Sequence, residues 1–280
     1  MDIRNFYNPG SVCPYCSGSP YIATAFRTQP LSAQIKGDAY FFALGNDNSS
    51  GLHGSWDMMY STFQNSTESK RAISSRYAYK IKMDKWAIGV GGRVLAEQRK
   101  FGTLYHTNTA EPVALSGKKI WQGNIDLGVL GTNTHGTYFG FSVLHLLSNL
   151  NNLQYENIPQ EQTGYYIISG TVLKANIWLD FLPEGTWRNT RTGQSWEGTV
   201  QMRFDHKWLL GTSYGTVNSG SNWAFRAGYT TPRFKWIAQI ETYQGKAAVE
   251  TGITWRLFPV ECNAAPVKIQ SYWNDFFPRN

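Results

Sequence analysis

Apolar and polar residues alternate one by one through long stretches of this chain, and that period excludes most folds. From residue 196 the faces are Trp196, Gly198, Val200, Met202 and Phe204 against Glu197, Thr199, Gln201, Arg203 and Asp205. From 249 they are Val249, Thr251, Ile253, Trp255 and Leu257 against Glu250, Gly252, Thr254, Arg256 and Phe258. Ile73, Ser75, Tyr77, Tyr79 and Ile81 oppose Ser74, Arg76, Ala78, Lys80 and Lys82 in the same way. A helix puts residues three and four apart on one face and would mix these sets. The pattern predicts β-strands with one apolar and one polar side. It is less clean over 165–174 and 177–188, and weakest over 21–28, 37–44 and 51–63.

About fourteen candidate strands result, an even number that suits a closed up-and-down barrel. Many exceed the ~9–11 residues that a tilted strand needs to cross a bilayer. Short turns near 83–85, 131–136, 175–176, 205–207 and 231–235 alternate with a second set of connectors, among them longer ones near 98–117, 146–162 and 189–195. Outer-membrane barrels have tight periplasmic turns and longer outer loops. Three of the short turns carry a Lys followed by a Trp: Lys85-Trp86, Lys207-Trp208 and Lys235-Trp236. Trp86, Trp208 and Trp236 are therefore expected to anchor a periplasmic rim at headgroup level.

Composition agrees. Aromatics make up 15% of the 280 residues and charged residues only 16%, against about 25% charged in ordinary globular domains. No run approaches the ~18 apolar residues of a transmembrane helix. A soluble sandwich or secreted barrel would also alternate, because period two does not identify the solvent. The net charge of +7 comes from singly scattered residues, not the clustered patch that marks nucleic-acid binding.

The polar face predicts a lumen lined by charges of both signs: Arg76, Arg93, Asp126, Glu197, Arg203, Arg226, Glu241, Glu250 and Arg256, with Lys80, Lys82 and Asp205 beside them. Either these line a solute channel or they pair with one another and close it. Pairing limits the cost of charge in a confined space and is the favoured reading. No catalytic constellation, cofactor motif or metal-ligand spacing is present, so the chain reads as no enzyme. Cys13 and Cys16 lie in Pro- and Gly-rich sequence, which predicts a local disulfide or two free thiols over a redox dithiol. Met1-Asp2-Ile3-Arg4 does not open a secretory signal, which an outer-membrane protein requires. The membrane reading thus takes the numbering as that of a mature chain.

Several segments carry a resemblance. Trp121-Gln-Gly-Asn-Ile-Asp126-Leu-Gly-Val-Leu130, the run from Gly136 to Leu146, Arg76-Tyr77-Ala78-Tyr79 leading into Trp86-Ala-Ile-Gly89-Val-Gly91, and His206-Lys-Trp208-Leu-Leu-Gly211-Thr-Ser-Tyr214 resemble the PorP/SprF family of type IX secretion membrane proteins. Phe6-Tyr7-Asn8-Pro9 is similar to that family's opening Asn-Pro segment. The Cys13–Cys16 pair and the length of the tail after Phe258 depart from it.

The resemblance implies a non-enzymatic outer-membrane β-barrel of Bacteroidota, part of the type IX secretion and gliding-motility machinery. The implied partners are a secreted surface adhesin, other type IX components, and periplasmic peptidoglycan-binding or ring proteins, with outer-membrane lipid around the wall. The expected organisation is a periplasmic segment over 1–20, the barrel over 21–258 and a tail over 259–280. The other readings are a porin-like small-solute channel and a soluble carbohydrate-binding β protein.

Overall fold

The computed structural model describes residues 8–11, 19–30, 36–49, 54–65, 68–101, 119–148, 162–190, 193–217, 220–243 and 246–258. Among the described residues, fifteen strand segments form one antiparallel sheet. They are β1 (Ser19–Pro30), β2 (Lys36–Ser49), β3 (Gly54–Gln64), β4 (Glu68–Lys82), β5 (Trp86–Phe101), β6 (Lys119–Asn133), β7 (Tyr138–Leu144), β8 (Gly164–Gly170), β9 (Leu173–Lys174), β10 (Leu179–Thr190), β11 (Gly193–Phe204), β12 (Trp208–Val217), β13 (Gly220–Thr230), β14 (Phe234–Tyr243) and β15 (Lys246–Arg256). Neighbours in sequence are neighbours in space, and β1 pairs with β15 from Tyr21↔Arg256 to Thr28↔Val249. The sheet closes into an up-and-down barrel, so no edge is left open.

β8 and β9 are two pieces of one wall strand, which makes the barrel fourteen-stranded. The break falls opposite Pro183 of β10, which has no N–H to give a neighbour. There Thr171 N–H donates to the Pro183 carbonyl at 3.1 Å and the two-residue ladder of β9 resumes at Phe181↔Leu173.

Alternation decides which way each side chain points. In β4, Ile73, Tyr77 and Tyr79 are exposed while Ser74, Arg76 and Ala78 are buried. In β13, Trp223 and Phe225 face out and Asn222, Ala224 and Arg226 face in. The apolar face is thus the outer one, the reverse of a soluble protein and the arrangement that lipid favours. The soluble carbohydrate-binding reading does not hold.

The weak segments 21–28, 37–44 and 54–63 fall in β1, β2 and β3, and residues 51–53 lie outside the described residues. Much of the inner face of these strands is itself apolar, with Ala23, Ala25, Ala39, Phe41, Ala43, Met59 and Phe63 buried there. With apolar residues on both faces, the sequence signal of alternation fades. These residues join Leu130, Tyr138, Tyr166, Ile168, Leu182, Leu209 and Ile237 in one buried cluster.

Strand direction places Ser19, the turns 83–85, 134–137, 175–178, 205–207 and 231–233, and Leu257 at one end of the barrel. The long connectors after β5 and β7 leave from the other end. The turn between β11 and β12 is a two-residue reversal, with Asp205 at φ 47° and His206 at φ 54°, closed by Lys207 N–H to the Phe204 carbonyl at 2.9 Å. Positive φ at both central positions matches the right-handed twist of a hairpin.

Residues 1–20 were expected as a periplasmic segment. Their described part differs: Asn8, Pro9, Gly10 and Ser11 lie inside the barrel against its inner face, and Ser19 and Pro20 already belong to β1. Asn8 is 0% exposed and Ser11 3%. Cys13, Cys16 and the tail 259–280 fall outside the described residues.

Candidate functional site: the filled lumen and the aromatic rims

A round barrel of fourteen strands is about 28 Å across, given ~4.8 Å between strands and a ~40° tilt, whereas side chains alone just fill eight strands. The inner-face residues here are nonetheless buried, and two lateral rows of register-paired residues run along that face.

The first row runs Tyr21↔Gly45↔Asp57↔Arg76↔Arg93↔Asp126 through β1 to β6. Asp57 and Arg76 are directly opposed and joined at 2.7 Å (Nε) and 2.5 Å (Nη2). Arg93 and Asp126 are also opposed, with Nε donating at 2.6 Å. The Tyr21 hydroxyl donates to Asp57 at 3.2 Å, over Gly45, where a Cβ would fall 2.8 Å from that hydroxyl. The other Asp126 oxygen accepts the His145 N–H at 2.7 Å, which ties the start of the 145–163 connector to the wall.

The second row includes Gln201, Gly211, Arg226, Gln239, Glu250 and Arg27, in register from β11 to β1. Arg226 donates to Gln239 at 2.5 Å and to Glu197 at 3.1 Å. Arg27 reaches Glu241 at 3.0 Å and Glu250 at 3.5 Å. Nearer the end with the short turns, Arg203 pairs with the opposed Asp180, its Nε at 2.9 Å. The Tyr138 hydroxyl is bonded to Glu184.

The structure places Arg76, Arg93, Asp126, Arg226, Glu241 and Glu250 on the inner face and buried, and Glu197, Arg203 and Arg256 on the same face and partly buried. Of the three residues expected beside them, Lys80 lies on the same inner face of β4 and is partly buried, whereas Lys82 is exposed at the end of that strand and Asp205 is exposed in its turn, where it pairs with Lys207 at 3.1 Å. Sequence reasoning missed Arg27, Asp57 and Asp180, which complete the ion pairs. Arg27 ends the run Tyr21, Ala23, Ala25, Arg27, so strict alternation from Tyr21 would have found it.

Trp86, Trp208 and Trp236 all leave turns at the same end of the barrel and all lie on the outer face; Trp86 and Trp208 are exposed and Trp236 half-exposed. The three turns are not equivalent. Lys85 and Lys207 are exposed, but Lys235 is 1% exposed on the inner face. Trp208 packs on Tyr229 at 4.8 Å and Trp178 stacks on Phe204 at 6.5 Å. A second aromatic group lies toward the opposite end: Trp196, Tyr214 and Trp223, at 5.6 and 4.6 Å. Trp196 and Phe204 are eight residues apart on the outer face of β11. At ~3.4 Å per residue and a ~40° tilt that is about 21 Å of height, close to the ~25 Å apolar band of an outer-membrane barrel.

Among the described residues no group of His, Cys, Asp and Glu could hold a metal ion. The buried carboxylates are engaged with Arg, Tyr or Asn side chains.

Comparison with known proteins gives a family and a fold. The family model described as type IX secretion system membrane protein PorP/SprF matches residues 22–238. Among solved structures, the Acinetobacter baumannii outer membrane protein Omp33 aligns over 88% of this chain and 100% of its own, at 8% identity and a TM-score of 0.51. The KdgM porin aligns over 85% and 99%, at 8% identity and a TM-score of 0.43. At that identity the Omp33 likeness speaks for the fold alone. No curated protein matches the sequence.

Proposed function

Because the chain belongs to the PorP/SprF family of type IX secretion system membrane proteins, we propose that this outer-membrane barrel is a non-enzymatic scaffold of that system. In this reading it docks or anchors a secreted surface protein, such as an adhesin of gliding motility, or links it to periplasmic peptidoglycan-binding or ring proteins. The observation that carries the reading is the lumen. Opposed ion pairs, an apolar cluster and an inserted chain segment occupy the space that a porin leaves to water. A barrel built this way offers partners its rims and connectors, not a path for solute.

On this proposal the end that carries the short turns faces the periplasm, so Trp86, Trp208 and Trp236 sit at the inner headgroup level. The lumen charges Arg76, Arg93, Asp126, Glu197, Arg203, Arg226, Glu241, Glu250 and Arg256 hold the barrel's shape; no ligand is assigned to them.

The test is isolation of the native protein in mild detergent, followed by mass spectrometry, alongside deletion of its gene. Co-purification with a surface protein, and shedding of that protein into the medium by the deletion strain, are the expected results. A barrel that purifies alone, with surface proteins retained normally in the deletion strain, would overturn the proposal.

A further inference from the structure

We propose that the inner wall of β5, β6 and β7 is a built seat for an Asn-Pro-Gly turn, and that the chain's own residues 8–11 fill it as an internal plug. The turn is self-contained. Ser11 N–H donates to the Asn8 carbonyl at 2.9 Å, and Gly10 N–H donates to Asn8 Oδ1 at 2.9 Å. Asn at the first position and Pro at the second are the residues that preset such a reversal.

The wall then reads the turn at both ends. Asn8 Nδ2 donates to the carbonyls of Val129 at 2.8 Å and Phe141 at 3.3 Å, two residues directly opposed on β6 and β7. Only an amide can donate there while its oxygen accepts from Gly10, so neither Asp nor Ala substitutes for Asn8. At the other end Arg76 Nη1 donates to the Ser11 carbonyl at 2.6 Å and lies 3.5 Å from that of Pro9, and Ser55 Oγ donates to Ser11 O at 3.2 Å. Arg76 is already fixed by Asp57, so its guanidinium is held in place to meet the turn.

Shape complements the polar contacts. A Cβ at Gly91 would collide with the Pro9 carbonyl, and one at Gly128 would meet the Asn8 side-chain oxygen and the Pro9 ring. A Cβ at Gly140 would fall 2.6 Å from Asn8 Nδ2, and one at Gly10 would fall 2.7 Å from the Gly89 carbonyl. Thus a patch of glycines on three adjacent strands clears the depth that the turn occupies, at positions where a bare strand would otherwise gain from a side chain. The inference does not depend on any partner of the barrel.

The test uses the full-length chain with Cys13, Cys16 and Cys262 replaced by Ser and a single probe thiol, Ser11→Cys, in the folded barrel. Maleimide labelling is expected to be at least about tenfold slower than at Asp84→Cys on the exposed turn, because a seated residue reacts only through local opening. Adding Asn8→Ala, or separately Gly128→Val, is expected to remove that protection while heat-modifiable gel mobility shows the barrel intact. Labelling of the parent as fast as the turn control would overturn the proposal. So would protection that survives both changes. If Gly128→Val does not fold, Asn8→Ala decides, since it leaves the wall untouched.

Discussion

Arg93 and Asp126 show how single residues hold this molecule. They are directly opposed on β5 and β6, 5% and 0% exposed, and each neutralises the other where water does not reach. Arg93→Ala leaves a buried carboxylate without its ion-pair partner, so it is expected to cost about 3–5 kcal/mol, read from urea unfolding in lipid vesicles. Adding Asp126→Ala is expected to recover part of that loss, since the double change removes the stranded charge. The inward set was legible because Arg76, Arg93, Glu197 and Arg226 occupy the polar positions of clean alternation. Their partners were not all legible. Asp57 lies between Trp56 and Met58 in a strand whose inner face also holds Met59 and Phe63, so polarity alone does not say which way it points. The Asn8 contacts span 121 and 133 residues, and no local pattern announces a turn that packs against strands so distant in sequence.

Strands carry the second level of the account, because their outer faces must suit lipid at each depth. Phe225 lies midway along β13 and is 61% exposed on the outer face. Phe225→Arg is expected to destabilise the barrel by about 2–4 kcal/mol, and Ser221→Arg near the strand end by about 0–1 kcal/mol, in the same vesicle assay. Equal costs at both positions would mean that β13 does not cross the bilayer as drawn. Strand number and the placement of the short turns at one end were legible, because turn residues and period two are local signals. The split of β8 and β9 was not. It follows from the absence of an N–H at Pro183, whose effect lands on the neighbouring strand.

At the scale of the whole molecule, an even-stranded barrel brings both ends of its wall to one rim, with Ser19 Oγ bonded to the Phe258 carbonyl at 3.0 Å where they meet. The outer surface is fitted to lipid, and the interior is filled by ion pairs, apolar side chains and the Asn8–Ser11 turn. Family membership supplies the setting in type IX secretion, and the occupied lumen is the observation behind the proposed scaffold role. The most direct measurement of that claim is ion current through the purified full-length protein in a planar bilayer. Insertion of the folded barrel is expected to add no sustained conductance steps. Regular, ohmic steps from the unmodified chain would contradict it and return the barrel to the porin-like class.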